Sequence, residues 1–179
     1  MNRVYVELTG RSPMIHNRIW SDGSGWTPAT DREQAESRLW GKGRLLYLPP
    51  CTPVVAIGRA AHSKGVRGAK WPTEIKHARD CESLAVDRVA FEGEWTPQVF
   101  LRRDLPAVAL PRFDEWNAAF DLDFDPAFHR DDQLREMLDH SGRHLGLPVF
   151  APFAGPGPWG RFEVSVWEPA RVGRDVEAA

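Results

Sequence analysis

Between Arg38 and Arg79 stand nine cations (Arg38, Lys42, Arg44, Arg59, Lys64, Arg67, Lys70, Lys76 and Arg79), one acid (Glu74) and five glycines. Side chains of this type and density suit phosphate. Each cation laid against a phosphate releases condensed counterions, giving sequence-independent affinity that fades as salt rises. Glycines let a backbone approach the phosphates closely. Trp71 follows Lys70, and an aromatic face beside cations holds flexible strands by stacking plus charge. The whole chain is polarised in the same sense: residues 1–79 hold 13 Lys/Arg against 6 Asp/Glu and residues 80–179 hold 10 against 19, beneath a net charge of -2. A polyanion, single-stranded DNA or RNA, is the partner class this implies. A solvated basic loop is the plain alternative.

A second group of candidates lies in the stretch Gly10–Gly25, whose Gly, Ser and Pro residues read as a loop carrying Met14, His16, Asn17, Arg18 and Trp20. Imidazole titrates near neutrality, so His16 could serve as the general base of a ribonuclease. No second acid or base is fixed by spacing, and a lone loop histidine also serves as a hydrogen-bonding residue. His140 and His144 could share a metal with Asp139 or His129, although cationic or carbonyl-bonding histidines in the last turn of a helix are already explained by its dipole. Asp121, Asp123 and Asp125 recur at every second residue, which would align them on one face of a strand. Two-metal chemistry is one reading; a solvated face, or an acidic patch docking the basic half of a neighbouring copy, is the other.

Of the tryptophans, Trp116 and Trp167 fall on strands with core periodicity, whereas Trp20, Trp26, Trp71 and Trp159 fall in loops. Trp71 and then Trp20 are the stacking candidates. Gly155–Gly160 lacks the Gly-Lys-Ser/Thr of a nucleotide-binding loop and precedes a strand, so nucleotide hydrolysis has no support. Cys51 and Cys81 are too few for a disulfide scaffold or a four-cysteine zinc site. No cofactor and no metal is expected.

The elements that must position these residues follow from periodicity. Arg3–Thr9 alternates as a strand, and Asp31–Trp40 reads as a helix capped by Asp31 and stopped by Gly41. Leu45–Leu48 is a short strand; Thr52 caps a helix with Pro53 in its first turn, running to Lys64. A basic loop through Gly65 and Gly68 to Trp71-Pro72 follows. Ser83–Phe91 and Gln98–Arg102 are the strands of a hairpin joined through Glu92-Gly93-Glu94. Trp116–Asp125 is the clearest strand, with Trp116, Ala118, Phe120, Leu122 and Phe124 on one face. Asp131–Leu145 is a helix with Leu134, Met137, Leu138 and Leu145 on its apolar side, stopped by Gly146. Arg161–Trp167 is the last strand, and the tail beyond Pro169 frays.

Strand, helix, strand, strand, helix, strand is the α+β ferredoxin-like or RRM-type βαββαβ order, with an antiparallel sheet, helices on one face and loop insertions. One domain over 1–168, with the basic segment 38–79 inserted and 169–179 as a flexible tail, fits the length. Such a sheet leaves one face open, where nucleic-acid strands lie in proteins of this architecture.

Four stretches point further. Leu8-Thr-Gly-Arg-Ser-Pro-Met-Ile-His16-Asn17 follows the first strand, Tyr47-Leu-Pro-Pro50 precedes the first core helix, and Ser141-Gly-Arg-His-Leu-Gly-Leu147 precedes Gly160-Arg-Phe-Glu-Val164. Together they resemble small bacteriophage proteins related to the RAMP superfamily, which includes the backbone subunits of CRISPR effector complexes. The resemblance implies a ferredoxin-like core with a glycine-rich loop before the last strand, oligomerising along single-stranded RNA or DNA. It also implies that His16, Asn17 and the Gly155–Arg161 loop lie near the strand. Where the family pattern has Gly-Leu-Gly and then an Arg-Pro pair, this chain reads Leu145-Gly-Leu-Pro-Val-Phe-Ala-Pro-Phe153, with no cation for a phosphate.

The expectation is a cytoplasmic, single-stranded nucleic-acid-binding protein, not an enzyme, that contacts the strand through His16, Asn17, Arg18, Trp20, Arg44, Arg59, Lys64, Arg67, Lys70, Trp71, Lys76 and Arg161 and assembles as a homo-oligomer or filament. A metal-independent RNA endonuclease of the RAMP type, with His16 catalytic, and a phage structural or protein-interaction module are the alternatives. No apolar run approaches a membrane span, and Met1–Gly10 lacks a signal-peptide layout.

Overall fold

The computed structural model describes residues 1–18, 30–42, 45–66, 71–102, 105–147 and 159–169. Val4, Val6 and Leu8 turn inward from β1 (Asn2–Gly10), and this strand is the hub of the larger sheet. It pairs with β9 (Asn117–Phe124) on one side and β10 (Phe162–Pro169) on the other. Beyond β9 come β6 (Val89–Glu92), β4 (Leu45–Leu48) and β3 (Gly41–Lys42), while the two-residue β5 (Leu84–Ala85) also pairs with β9. Every pairing is antiparallel.

Two helices cover one face. The helix α2 (Cys51–Ser63) buries Val54, Ala56, Ile57, Ala60 and Ala61, and α4 (Asp131–His140) buries Leu134, Met137 and Leu138. Both sets join the inward residues of β1, β6 and β9 in one core, and Lys64, at the C-cap of α2, pairs with Glu136 of α4. A smaller sheet, with β8 (Leu105–Phe113) between β2 (Met14–Ile15) and β7 (Trp95–Arg102), packs against α1 (Asp31–Glu36). The carboxamide of Gln34 accepts a hydrogen bond from the Ala109 N–H, and Arg32 lies 5.2 Å over the Trp95 ring. The molecule is thus a mixed α+β protein with antiparallel sheets and four α-helices among the described residues.

Several expected elements differ. The cap of α1 is Thr30, in a reciprocal capping box with Glu33, and the helix ends at Glu36 rather than Trp40. Thr52 does not cap α2: Pro50 occupies that position without a side-chain bond, and the Thr52 hydroxyl is buried with no partner among the described residues. An unexpected short helix, α3 (Ile75–Arg79), follows the basic loop. The expected hairpin through Glu92-Gly93-Glu94 joins two different sheets; the actual hairpin is β7–β8, with Pro97 and Pro111 opposite each other. Leu145 is 41% exposed, because Ser141–Leu145 forms a wider π-helical turn that rotates it off the apolar face. A bulge opposite Glu7 and Leu8 likewise shifts β10, so that Val166 pairs with Glu7 on the outer face.

Candidate nucleic-acid interface

Register assigns every outward residue of the larger sheet. Opposite residues of an antiparallel pair share a face, so Tyr5, Glu7 and Thr9 stand with Asp121, Asp123, Asn117, Glu163 and Glu168, and through Asn117 with Glu92. The open face is therefore acidic. Arg3 clamps Asp123 through two hydrogen bonds of 2.6 and 2.7 Å, and Arg11 pairs with Glu163 at 2.5 Å. Glu92, Asp121 and Glu168 make no ion pair among the described residues. A face so charged repels phosphate. Asp125 is not part of this row: its carboxylate accepts from the Ala127 N–H in the turn before α4.

The cations lie elsewhere. Arg59 projects from α2 and donates to the Thr73 carbonyl at 3.3 Å. Lys76 and Arg79 are exposed on α3; Lys76 reaches Glu74 at 3.2 Å, and Lys64 is engaged by Glu136. Arg18 and Arg38 meet through backbone contacts, the Arg38 guanidinium donating to the Arg18 carbonyl at 3.4 Å. Arg18, Arg38, Arg59 and Arg79 make no ion pair with a carboxylate among the described residues. Trp20, Arg44, Arg67 and Lys70, together with Trp26 and residues 151–158, lie outside the described residues. Arg161 is exposed next to β10, and its backbone N–H and carbonyl bind Ser12 and Arg11, which ties the preceding segment to the loop after β1.

His16 occupies the core instead of a surface. It is 1% exposed, its ring sits 4.6 Å from Phe91 and 4.5 Å from Phe113, and its Nδ1 faces the Trp40 N–H at 3.4 Å. Burial pushes its pKa down to about 3. A ring so placed meets no strand on the surface and is neutral throughout the physiological range. The alternation Met14, Ile15, His16 beside β8 was the available sign, since Ile15 and Met14 are buried on either side of the sheet pairing.

Trp71 is likewise drawn inward, packed against the core with its ring 4.8 Å from that of His129, so it is not the free stacking platform its cationic neighbours suggest. His129 is buried, bonded to Ser83 Oγ at 2.9 Å, and its pKa is lowered by burial against an opposing pull from Asp125. It serves the core rather than a metal with His140. The His140 and His144 ring centroids lie 4.7 Å apart with the planes tilted by 45°; burial, His144 and Lys64 lower the His140 pKa. Among the described residues no three His, Cys, Asp or Glu side chains converge in a way that could hold a metal ion.

What spacing did not disclose is a cavity of about 610 Å³ beside β4, walled by Trp40 and Tyr47, the N-terminus of α2, α3 and β5. Asn17 is 3% exposed and lines it; Arg79 stands at its wall. Residues 16–18, 40 and 79 are far apart in sequence, so only the chain's path brings them together. No protein-family model and no curated protein matches the sequence.

Proposed function

We propose that the chain is a single-stranded nucleic-acid-binding protein whose contact surface is the α2–α3 side of the molecule rather than the open sheet. The observation that carries this reading is the separation of charge: Arg59 on α2 and Arg79 on α3 have no carboxylate partner among the described residues, whereas acids line the outward face of β1, β6, β9 and β10. A strand laid on the first surface releases counterions, and on the second it is repelled.

The ferredoxin-like reading of the core belongs to the same proposal. Set aside β3, β4 and β5, and the strands β1, β6, β9 and β10 lie in the order β10-β1-β9-β6, all antiparallel. With α2 between the first two and α4 between the last two, this supports a βαββαβ core, 4-1-3-2 in its own numbering, to which β3–β5 and the β7–β8 sheet are additions. It also supports the RAMP-like resemblance at the level of fold, which does not by itself decide function. The acidic sheet face of one copy and the cations of α2 and α3 on another are complementary, which supports head-to-tail assembly along a strand as part of the proposal. Catalysis by His16 has no support from its buried position. No helix among the described residues is long and apolar enough to cross a membrane.

Fluorescence anisotropy with single-stranded DNA, single-stranded RNA and duplex over a salt series tests the reading. Binding should weaken linearly in log salt, and Arg59→Glu should weaken every strand alike and reduce the slope by about 1. Affinity for no oligonucleotide, or affinity indifferent to salt, would instead favour a structural or protein-interaction module.

A further inference from the structure

We infer that the cavity beside β4 is a nucleotide pocket, taking one nucleobase against Trp40 and Tyr47 with its phosphate at Arg79 and the N-terminus of α2. The inference deepens the strand-binding reading and rests on it only for the source of the ligand, a unit of a bound strand or a free mononucleotide.

Size comes first. About 610 Å³ lies within the range of pockets that enclose small organic ligands. The wall chemistry narrows the class. Trp40 and Tyr47 meet edge to face, with centroids 6.3 Å apart at 65°, and the Tyr47 N–H bonds the Trp40 carbonyl at 3.0 Å, so the pair is held in place. Both residues line the cavity, and aromatic side chains there suit a flat heterocycle. Val54, Ile75, Leu84 and Val86 supply an apolar floor.

The polar groups then select a base that carries an anion. Asn17 is buried in the lining, and no hydrogen bond among the described residues engages its carboxamide. A carboxamide offers one donor and one acceptor side by side, the pattern that reads the edge of adenine in two hydrogen bonds. At the other end Arg79 carries no carboxylate partner, and no Asp or Glu lines the cavity, among the described residues. Arg79 and Cys51, the first residue of α2, both line the cavity. That helix is 13 residues long and its N-cap, Pro50, makes no side-chain bond. No acidic side chain stands in its first turn, and Arg79 lines the same cavity, so its positive end and an arginine both favour an anion there.

The test uses the full chain, calorimetry and ligand-observed NMR with adenosine 5'-monophosphate, ribose 5-phosphate and inorganic phosphate, and anisotropy with a labelled single-stranded adenine oligonucleotide. Arg79→Glu and Ala85→Trp are the variants; both positions are exposed, Ala85 lines the cavity, and matched thermal melts establish that each folds. Adenosine monophosphate should bind while the two base-free probes bind at least about tenfold more weakly, and each variant should weaken the nucleotide by at least about tenfold. If the nucleotide also competes with the oligonucleotide, and both variants weaken that complex, the ligand is a unit of the strand. If the nucleotide binds and responds to both variants while no oligonucleotide does, the pocket stands with a free nucleotide as its ligand and the strand-binding reading falls. An oligonucleotide that binds in a salt-dependent way, with no nucleotide binding and no response to either variant, overturns the pocket and leaves the strand reading intact. Should folded variants bind adenosine monophosphate as the parent does, the pocket is overturned as well.

Discussion

On acidification from about pH 6.5 to about pH 4.5, the folded protein is expected to lose stability at up to about 1.4 kcal/mol per pH unit through His16 alone. The unfolded imidazole takes up a proton near 6.5, while the folded one, enclosed by Phe91 and Phe113, resists protonation down to about 3. Unfolding therefore absorbs a proton throughout that window. The stabilising contribution is complete above 6.5 and is progressively lost as pH falls toward the folded value. His129 adds in the same direction, because its burial also lowers its pKa and its Nδ1 has no partner among the described residues. Urea titrations at pH 7.5, 5.5 and 4.5 measure the slope. His16→Phe keeps an aromatic ring between its two neighbours and removes the titration, so the fall in midpoint should shrink by about the share of one proton. A variant with an unchanged slope would mean that water reaches the ring and that the core assignment is wrong.

That histidine also illustrates how far the residues alone could lead. Alternation identified β1 and β9 closely, because each has one buried face and a period-two pattern records that directly; β10 was located too, although Phe162 is its only buried residue. The pattern in β8, Leu105–Phe113, is broken by Pro106 and Pro111, so a nine-residue strand passed unseen. The π-helical turn at Ser141–Leu145 and the bulge in β10 each change the phase by a residue, and no composition signal marks such a change. The charge asymmetry was correctly counted in sequence but could not be assigned to surfaces. Only strand register puts Asp121 and Glu92 on one face, and only the fold carries Arg79 to the mouth of a cavity lined by Asn17. Long-range placement of this kind depends on which strands pair, and pairing is a property of the whole chain.

Replacing Gly58 by alanine should destabilise the protein by about 2 kcal/mol, although the same change in an exposed helix would add about 1 kcal/mol of stability through propensity. The opposing term is steric. Gly58 lies in the middle of α2, and a Cβ there would overlap the backbone carbonyl of Pro72, with Pro72 N only 3.1 Å away. A backbone atom cannot swing aside as a side chain does, so the segment entering α3 must move as a piece. Overpacking of this kind costs about 1–3 kcal/mol or more, which outweighs the propensity gain. The displaced segment includes Thr73, whose carbonyl accepts from Arg59, and leads into α3, which carries Arg79. Gly65→Ala is the matched control. Gly65 has φ of +66 and nothing within 4 Å of an added Cβ, so its cost is the roughly 1–2 kcal/mol of left-handed backbone and involves no displacement of neighbours. Denaturant unfolding of the two variants, with nucleotide binding measured on each at temperatures where it is folded, separates the causes: Gly58→Ala should lose both stability and binding, Gly65→Ala stability only. A Gly58→Ala protein more stable than the parent would show that α2 and the segment before α3 do not approach as described, and the cavity between them would have to be redrawn.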